Sequence, residues 1–337
     1  CLFNHLNFII INYFLNQIYN IVLMRVIFHI GYPRTGTTFL QKNFFEKNGN
    51  INYLGPKYYH ESSKPFFSYE KMSFINKIDV KKDINIENVD FLFKDLSLSE
   101  DKVNLISSEK FLTYGINYFQ NLIKIKKLLN LYNSGIKFKV FFVIRNQFDV
   151  LESQYHHAFS EISNNFSVKS FKELINLSDT EILNKQPEKT FFSNYFYDNT
   201  LSELLNYFER KDVGIFLYEE LKNDKPAFLQ KISNFLSIDW DEFEDLLKKE
   251  KVNQLDRNQN KIYVYSEYFT KLQKLYSIFY LKKILPQGIK SLIKKYFMKE
   301  IKADISNKEK RKIKFFFKKS NKIFEKISGL ILPEEYF

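Results

Sequence analysis

The chain has 337 residues, and 45% of them are hydrophobic, so it holds enough apolar material for one large domain or two small ones. Its formal net charge of +12 at pH 7 favours anionic partners, although an AT-rich genome would also enrich Lys together with the abundant Phe and Tyr. The single cysteine, Cys1, excludes an internal disulfide, and five histidines without zinc-binding spacing argue against a zinc enzyme. We therefore expect no bound metal.

Residues 1–23 precede Met24 and are apolar, but five asparagines interrupt them. No basic residue precedes the apolar run, as a signal peptide would require. We expect Met24 to be the native start and the upstream residues to be non-native or disordered. The alternative is a signal anchor, because a span of this length can cross a bilayer. The first interpretation predicts a cytoplasmic protein, and the second predicts a membrane-associated one.

The first predicted elements are a strand at 25–30, a glycine-containing loop and a helix at 37–45. This arrangement points backbone amides at an anion. The loop has the glycine spacing of ATP-binding loops, G-x-x-x-x-G-K-[ST], but Thr37 stands at the lysine position and Arg34 lies inside the loop. The sequence therefore predicts a site for a phosphate-like group other than the triphosphate of ATP.

Further strands and helices alternate along the chain. Strands are predicted at 51–54, 103–107, 138–144 and 213–218, and helices follow the last three of them. The run at 138–144 is almost continuously apolar, as in a parallel strand that is buried on both faces. We therefore predict an α/β fold with three layers, α/β/α, around a central parallel sheet, similar to P-loop NTPases. Its ligand is expected beyond the carboxyl ends of the strands.

A lysine-rich segment at 263–303 has a helical pattern that Pro286-Gln-Gly288 interrupts. We expect a helical insertion here, which gives the fold a helical C-terminal extension. It is either a solvated helical hairpin packed on the main domain or a basic amphipathic element at a membrane surface.

A second group of polar residues follows the strand at 138–144. Arg145 closes that strand, and Ser153 lies just over one helical turn beyond Asp149, so Arg145 and Ser153 can converge on one anion. The alternative for Arg145 is a structural ion pair. A strand that holds magnesium for a triphosphatase would end in Asp instead. Two phosphate sites without a magnesium carboxylate suggest a nucleotide that is phosphorylated at its 5′ and 3′ positions.

With these two motifs the chain resembles the sulfotransferases that use 3′-phosphoadenosine 5′-phosphosulfate (PAPS). Residues 31–38 match the family's 5′ loop, which looks like G-x-P-[KR]-x-G-T-T. The family's 3′-phosphate motif, R-N-P-x-D-x-x-x-S-x-Y, is matched by Arg145, Asn146, Asp149, Ser153 and Tyr155, with Gln147 in place of the proline. The runs at 217–221, 235–238, 318–323 and 332–337 are also similar to the family, so the resemblance extends from Met24 to the last residue.

The resemblance implies a single domain at 24–337 that moves a sulfuryl group from PAPS to a hydroxyl or amine by in-line displacement, with 3′-phosphoadenosine 5′-phosphate (PAP) as product. It implies a small-molecule or glycan acceptor, such as a carbohydrate, chosen by the irregular segments at 56–100 and 158–200. The nucleotide contacts that it implies are Pro33, Arg34, Thr35, Gly36, Thr37, Thr38, Arg145 and Ser153, with Asn253 and Arg257 as looser assignments.

For catalysis, the resemblance implies that Arg34 donates to the bridging oxygen of the nucleotide. Glu109 is the preferred general base, because 107–110 ends a strand where family members carry a His or a Glu-Lys pair, and Lys110 would contact a sulfonate oxygen or an acidic substrate. His60 and Glu61 are the competing bases.

Two rival interpretations stay open. A P-loop kinase or nucleotidase would bind ATP with magnesium. A non-catalytic basic protein would bind a membrane or nucleic acid through the lysine-rich region at 271–318, with steep salt dependence. We expect no nucleic-acid partner, whereas contact with a membrane surface is compatible with the sequence, and the oligomeric state is not encoded in any motif.

Overall fold

The structure is a computed structural model that describes most of the chain. The described residues are 24–55, 71, 75, 77, 92–93, 97–113, 116–155, 170–176, 192–239, 261–265, 298–302 and 306–337. No helix within these ranges is both long and apolar enough to span a membrane.

The described residues divide into two compact units, each taken from three separate parts of the chain. Unit 1 takes them from Cys1–Arg145, Tyr197–Glu250 and Ile323–Leu330, and unit 2 from Asn146–Phe196, Lys251–Lys322 and Ile331–Phe337. Unit 1 holds the large sheet and the glycine loop. Unit 2 holds a two-stranded sheet and most of the last helix. The single domain expected at 24–337 stays a prediction.

Unit 1 is built on a five-stranded parallel sheet with the order β2-β3-β1-β4-β5. Its strands are β1 (Arg25–Ile30), β2 (Ile51–Tyr53), β3 (Val103–Ser108), β4 (Lys137–Ile144) and β5 (Val213–Leu217). All five lie where the sequence predicts strands, so the predicted α/β fold is confirmed. At the end of β5, Tyr218 begins a helix rather than ending the strand.

The centre of this sheet is its most deeply buried part. Every side chain from Val140 to Ile144 in β4 is fully buried. The rings of Phe45, Phe216 and Phe235 pack around that of Phe141 with centroid separations of 6.0, 5.8 and 6.0 Å. Near-continuous apolar runs of this kind are typical of parallel strands that are covered on both faces. This packing fixes the carboxyl ends of β1 and β4 side by side, where the two predicted motifs begin.

The helices agree with the predicted alternation. In chain order they are Thr37–Phe39 with its continuation Leu40–Phe45, Lys110–Thr113, Ile116–Tyr132, 147–155, 171–176, Tyr197–Leu205, Tyr218–Asn223, Lys225–Leu236 and Asn307–Ser328. Single 3₁₀ turns lie at Ser193–Tyr195, Arg210–Asp212 and Glu334–Tyr336. The last helix confirms the helical C-terminal segment.

The helix after the glycine loop is not α-helical throughout. Its second part, Leu40–Phe45, is π-helical, and the amide of Glu46 donates to the carbonyl of Gln41 at 3.1 Å. A π-helical turn bonds residues five apart and keeps them on one face. Leu40, Gln41, Phe44 and Phe45 are accordingly all buried, so the polar Gln41 enters the core together with its apolar neighbours.

The ends of the lysine-rich segment at 263–303 differ from the helical prediction. Lys261–Tyr265 (β6) and Met298–Lys302 (β7) form an antiparallel pair in unit 2, with Tyr263 opposite Glu300. The sequence of β6, KIYVY, is rich in β-branched and aromatic residues, which favour strands. The helical prediction rested on the lysine-rich pattern of the whole segment, in which these two short strand-forming runs are not apparent. The residues between the two strands lie outside the described part of the chain.

Within unit 2, Gln147 stands where the resembling family has a proline, and it is buried. Gln147 Nε2 donates to Asn321 Oδ1 at 2.6 Å, and Asn321 Nδ2 donates to Gln147 Oε1 at 3.2 Å. Asn321 Nδ2 also donates to the carbonyl of Tyr336 at 2.8 Å. A buried amide must find partners for its donors and its acceptor. This pair explains why a polar side chain at position 147 is compatible with a packed environment.

In unit 1, the amino end of the sheet is held by a buried asparagine on β3. Asn104 donates to the carbonyls of Arg25 and Ser99 at 3.1 and 2.8 Å, and its oxygen accepts from Asn52 Nδ2 and the amide of Ser99, both at 2.8 Å. Both donors and both lone pairs are therefore satisfied. The residue links β1, β2, β3 and the turn before β3.

Replacing Asn104 by Ala removes a partner from the carbonyls of Arg25 and Ser99 and from the amide of Ser99, whereas Asn52 keeps its hydrogen bond to the carbonyl of Ser97. We expect the free energy of unfolding to fall by about 3 kcal/mol, since each orphaned group costs roughly 1–3 kcal/mol. Urea unfolding followed by circular dichroism measures the change. Asn206→Ala is the control, because Asn206 is exposed and its side chain donates to the exposed Glu203 at 3.1 Å, and about 0.5 kcal/mol or less is expected there. Equal losses in the two variants would contradict the argument.

Candidate active site

The glycine loop connects β1 to the first helix through two left-handed residues. Arg34 has φ 65° and Gly36 has φ 85°. A side chain at Gly36 would be strained by that φ, and its Cβ would lie 2.7 Å from Leu221. The hydroxyl of Thr35 donates to the carbonyl of Tyr32 at 2.8 Å and closes the loop on itself.

Gly36 also occupies the N-cap position of the helix that follows. It has no side chain that could accept from the first-turn amides. Amides at a helix start lack partners within the helix and, with the helix dipole, attract anions. Of the two threonines that follow, Thr38 is exposed and Thr37 is buried.

The parallel register brings Glu109 next to the start of the loop. Ile30 at the end of β1 is opposite Ser108 at the end of β3, and the amide of Gly31 donates to the carbonyl of Ser108 at 3.4 Å. A Cβ at Gly31 would lie 2.5 Å from Thr37 Oγ1 and 3.1 Å from Glu109 Cγ. Only a glycine at position 31 therefore allows Glu109 and Thr37 to pack together.

Burial raises the pKa of Glu109 above its ordinary value of 4.5, and this outweighs the hydrogen bond with the Thr37 side chain and the positive charge of Arg34, which both lower it. The Thr37 hydroxyl carries one proton and also lies 3.2 Å from the carbonyl of Tyr32. Burial therefore keeps the Glu109 carboxyl protonated to a higher pH than it would be in an exposed glutamate.

Arg145 reaches back to the loop from the end of β4. Its Nη1 donates to the carbonyl of Arg34 at 3.0 Å, and its guanidinium lies over the ring of Tyr218 at 4.6 Å. The pairing of β4 with β5 explains the contact between Arg145 and Tyr218. Ile144 is opposite Leu217 in this pairing, and Arg145 and Tyr218 are the residues that follow them. Its Nε is buried without a hydrogen-bond partner. These two contacts, with a carbonyl and with an aromatic ring, hold the cation in place, and neither of them is with a carboxylate.

The backbone of Arg145 is fixed by a buried tyrosine that no sequence motif identified. The hydroxyl of Tyr197 donates to the carbonyl of Arg145 at 2.6 Å, and the amide of Arg145 lies 3.4 Å from the same oxygen. The ring of Tyr197 packs edge-on against that of Tyr32 at 5.1 Å, and Tyr32 in turn donates to Thr200 at 2.6 Å. The helix that begins at Tyr197 therefore contacts both the loop and the arginine.

A buried histidine lies beneath the loop. His29 Nδ1 is 2.7 Å from Ser107 Oγ, which also accepts from Gln41 Nε2 at 2.9 Å. Complete burial lowers the pKa of His29 to about 3, so the ring is neutral at neutral pH. It stacks on Phe141 at 4.7 Å and is closed off from solvent, so its role is to support the loop.

The structure therefore brings together four of the predicted residues in unit 1, which are Arg34, Thr37, Glu109 and Arg145. Ser153 is half-buried in the helix at 147–155 of unit 2. Lys110 begins a helix, and its side chain lies outside the described part, as do His60, Glu61, Asn253 and Arg257 entirely. No cluster of three or more His, Cys, Asp or Glu that could hold a metal occurs among the described residues.

Sequence reasoning missed Tyr197 and Tyr218. Tyr218 belongs to the run at 217–221 that resembles the family, so its position was visible although its contact with Arg145 was not. Tyr197 gave no signal, because it is one of 22 tyrosines and its partner is 52 residues away.

Several solved structures are similar to this chain. Among solved structures it is similar to a sulfotransferase from Alicyclobacillus acidocaldarius, with 14% identity, a TM-score of 0.49 and coverage of 91% of this chain and 96% of that one. It is also similar to mouse sulfotransferase SULT7A1 complexed with PAP, with 16% identity, a TM-score of 0.37 and coverage of 81% and 89%. A third structure is retinol dehydratase in complex with androsterone and inactive cofactor PAP, with 14% identity, a TM-score of 0.33 and coverage of 92% and 83%.

The comparison with curated proteins gave no significant match. The model of the sulfotransferase domain family, by contrast, matches residues 25–302, which include the whole parallel sheet, the glycine loop and Arg145. Because that match spans well over half of the sequence, the chain belongs to the sulfotransferase domain family.

Proposed function

We propose that the protein is an enzyme that transfers a sulfuryl group from PAPS to a hydroxyl or amine of an acceptor and releases PAP. One observation supports this most directly. Arg145, at the end of β4, donates a hydrogen bond to the backbone carbonyl of Arg34 in the loop. Residues assigned to the two phosphate motifs are therefore in direct contact. A loop for the triphosphate of ATP would place a lysine at position 37, and this chain has Thr37.

The 5′-phosphate is assigned to the start of the first helix. The uncapped amides of residues 35–38 and the exposed hydroxyl of Thr38 supply its donors. The Thr37 hydroxyl, which the motif also assigns to this phosphate, is directed to the carbonyl of Tyr32 and to Glu109 in this structure. We therefore give Thr38 the larger part in phosphate binding and Thr37 a part in holding Glu109.

The 3′-phosphate is assigned to Arg145. The buried Nε of Arg145 has no hydrogen-bond partner, and its guanidinium is positioned by Tyr218 and the loop carbonyl. A forked cation with an unused donor suits a phosphate dianion. The same arginine would sense whether a nucleotide carries the 3′-phosphate, which ATP and AMP lack.

In the proposed reaction, the acceptor oxygen or nitrogen attacks sulfur as the bond from sulfur to the 5′-phosphate oxygen breaks. Glu109 takes the proton of the acceptor, and the departing oxygen keeps the electron pair. Arg34 is a fixed cation and stabilises the negative charge that grows on this oxygen without giving up a proton. Catalysis then depends on in-line positioning and electrostatics, as in phosphoryl transfer.

We propose a carbohydrate or another hydroxylated metabolite as the acceptor class. The raised pKa of Glu109 supports an acceptor that must lose a proton during the reaction, because a stronger base is more effective there. A screen of hydroxylated and amine compounds with sulfur-labelled PAPS tests the class. Label that appears only in amines, or in no compound, would reject the carbohydrate assignment.

Arg34→Ala and Arg145→Ala should each weaken PAP binding by about 10- to 100-fold, since each removes a charge-assisted hydrogen bond worth roughly 1.5–3 kcal/mol. Isothermal titration calorimetry with PAP measures the loss. Arg25→Ala is the matched control, because Arg25 lies at the opposite end of β1 and donates to the carbonyl of Ser237 at 3.2 Å. If the wild-type protein instead prefers ATP with magnesium, the kinase interpretation replaces this one.

Tyr197→Phe should lower the affinity for PAP by about fivefold, because the carbonyl of Arg145 loses a hydrogen bond worth about 1 kcal/mol and the arginine is less well fixed. The affinity for AMP, which has no 3′-phosphate, should stay unchanged. The measured quantity is the ratio of the two dissociation constants. A variant that loses affinity for both nucleotides equally would show that Tyr197 acts on the fold and not on Arg145.

Glu109→Gln should reduce kcat by about 10²- to 10⁴-fold while PAP binding is kept, since a general base contributes that much. In the wild type, the base form predominates only above the raised pKa, so kcat/KM should fall on acidification at a pH above the ordinary glutamate value of 4.5. The acid limb should be absent in Glu109→Gln. Glu100→Gln, at an exposed position before β3, is the control and should match the wild type. An unchanged kcat in Glu109→Gln would transfer the role to another residue.

A further inference from the structure

The Asn307–Ser328 helix carries a cationic stripe along its exposed side. The stripe consists of exposed residues that recur at helical spacing, namely Lys308, Arg311, Phe315, Lys318, Lys319 and Lys322. Residues three and four apart lie on the same side of an α-helix. The opposite side holds the buried Ile313, Phe317, Ser320 and Asn321. The whole stripe lies within unit 2.

No exposed acidic residue balances this stripe along its own helix. Between 307 and 322 the helix contains one acidic residue, Glu309, which is buried and accepts from the amide and the hydroxyl of Ser306. The chain as a whole has 39 acidic residues against 51 basic ones. A helix that simply shared this composition would carry carboxylates on its exposed side as well. The stripe is therefore a concentration of charge and suits an anionic partner.

Phe315 distinguishes between the anionic partners that the stripe could bind. It lies in the middle of the stripe, with Arg311 one turn before it and Lys318 and Lys319 one turn after, and its side chain is 80% exposed. A nucleic-acid duplex, whose bases are stacked inside, or a polyanionic glycan would pair with the cations but offers no apolar layer in which the ring could be buried. An anionic bilayer supplies both, because headgroups meet the cations while aromatic side chains enter the boundary with the acyl chains.

We propose that this stripe docks the protein on an anionic membrane surface, with the helix lying along the bilayer plane and Phe315 inserted between the headgroups. The long aliphatic stems of the lysines would lie beside the ring while their charges stay at the phosphates. The proposal does not depend on the nucleotide site, and it brings the enzyme to acceptors that are carried by or concentrated at a membrane.

The test is co-sedimentation of the full chain with vesicles of phosphatidylcholine, either alone or mixed with phosphatidylserine. We expect binding to the mixed vesicles that weakens as salt is added, and little binding to phosphatidylcholine alone. The triple variant Lys318→Ala, Lys319→Ala, Lys322→Ala should lose about 100-fold in partitioning, since each cation near an anionic surface contributes about fivefold. Phe315→Ser should lose about tenfold, as expected for burying one large apolar side chain in part.

The matched control is the triple variant Lys102→Ala, Lys127→Ala, Lys211→Ala, which removes the same charge from exposed positions of unit 1. It should bind like the wild type, and all variants should keep the wild-type melting temperature. The apolar residues 2–23 are present in every variant, and binding through them would depend on neither phosphatidylserine nor salt. Equal losses in the two triple variants, or wild-type binding by Phe315→Ser, would overturn the proposal. Binding to duplex DNA or heparin without binding to the mixed vesicles would overturn it as well.

Discussion

The hydrogen bond from Arg145 to the carbonyl of Arg34 is the contact on which the proposed site depends. It joins residues 111 positions apart at the carboxyl ends of two adjacent parallel strands. It also secures a loop residue with φ 65°, a conformation that is unfavourable for a side chain with a Cβ. A guanidinium suits this role because it forms hydrogen bonds in one plane and remains charged in a partly buried position.

Two titratable groups near the loop differ in their environment. They are His29, on β1, and Glu109, which directly follows the neighbouring strand β3. His29 points into the core between β3 and the π-helical turn, where burial keeps its ring neutral and a serine satisfies one nitrogen. Glu109 comes one residue after the end of β3 and is half-buried beside a threonine and a cation. Complete burial makes the first a structural residue. Partial burial beside the loop leaves the second in contact with solvent, which its proposed role as general base requires.

Polar residues inside the apolar core also have structural explanations. Asn104 satisfies four backbone or side-chain groups at the amino end of the sheet, and Ser107 receives Gln41 and contacts His29 beneath the loop. Such groups are compatible with a core only when they are paired, because an unpaired buried polar group costs more than its hydrogen bond contributes. The paired polar groups stabilise the loop from below, while its upper side presents amides and the exposed Thr38.

The strands and the glycine loop could be predicted because their signals are local. A run such as 138–144 is apolar whatever it contacts, and the loop is marked by two glycines, a proline and three threonines within eight residues. The helical prediction for 263–303 was wrong at its described ends, where β6 and β7 pair. There, short strand-forming runs were outweighed by the lysine-rich pattern around them, and the pairing partner lies more than thirty residues away.

The sequence by itself determined the order of strands and helices of the parallel-sheet unit, the loop and the two motifs that resemble sulfotransferases, since each is a pattern of neighbouring residues. Only the tertiary structure decided that Glu109 packs against Thr37 across Gly31 and that Tyr197 holds the backbone of Arg145. The physical reason is that these contacts follow from strand register and helix placement. Register depends on how all the buried side chains pack at once, so no local pattern encodes it.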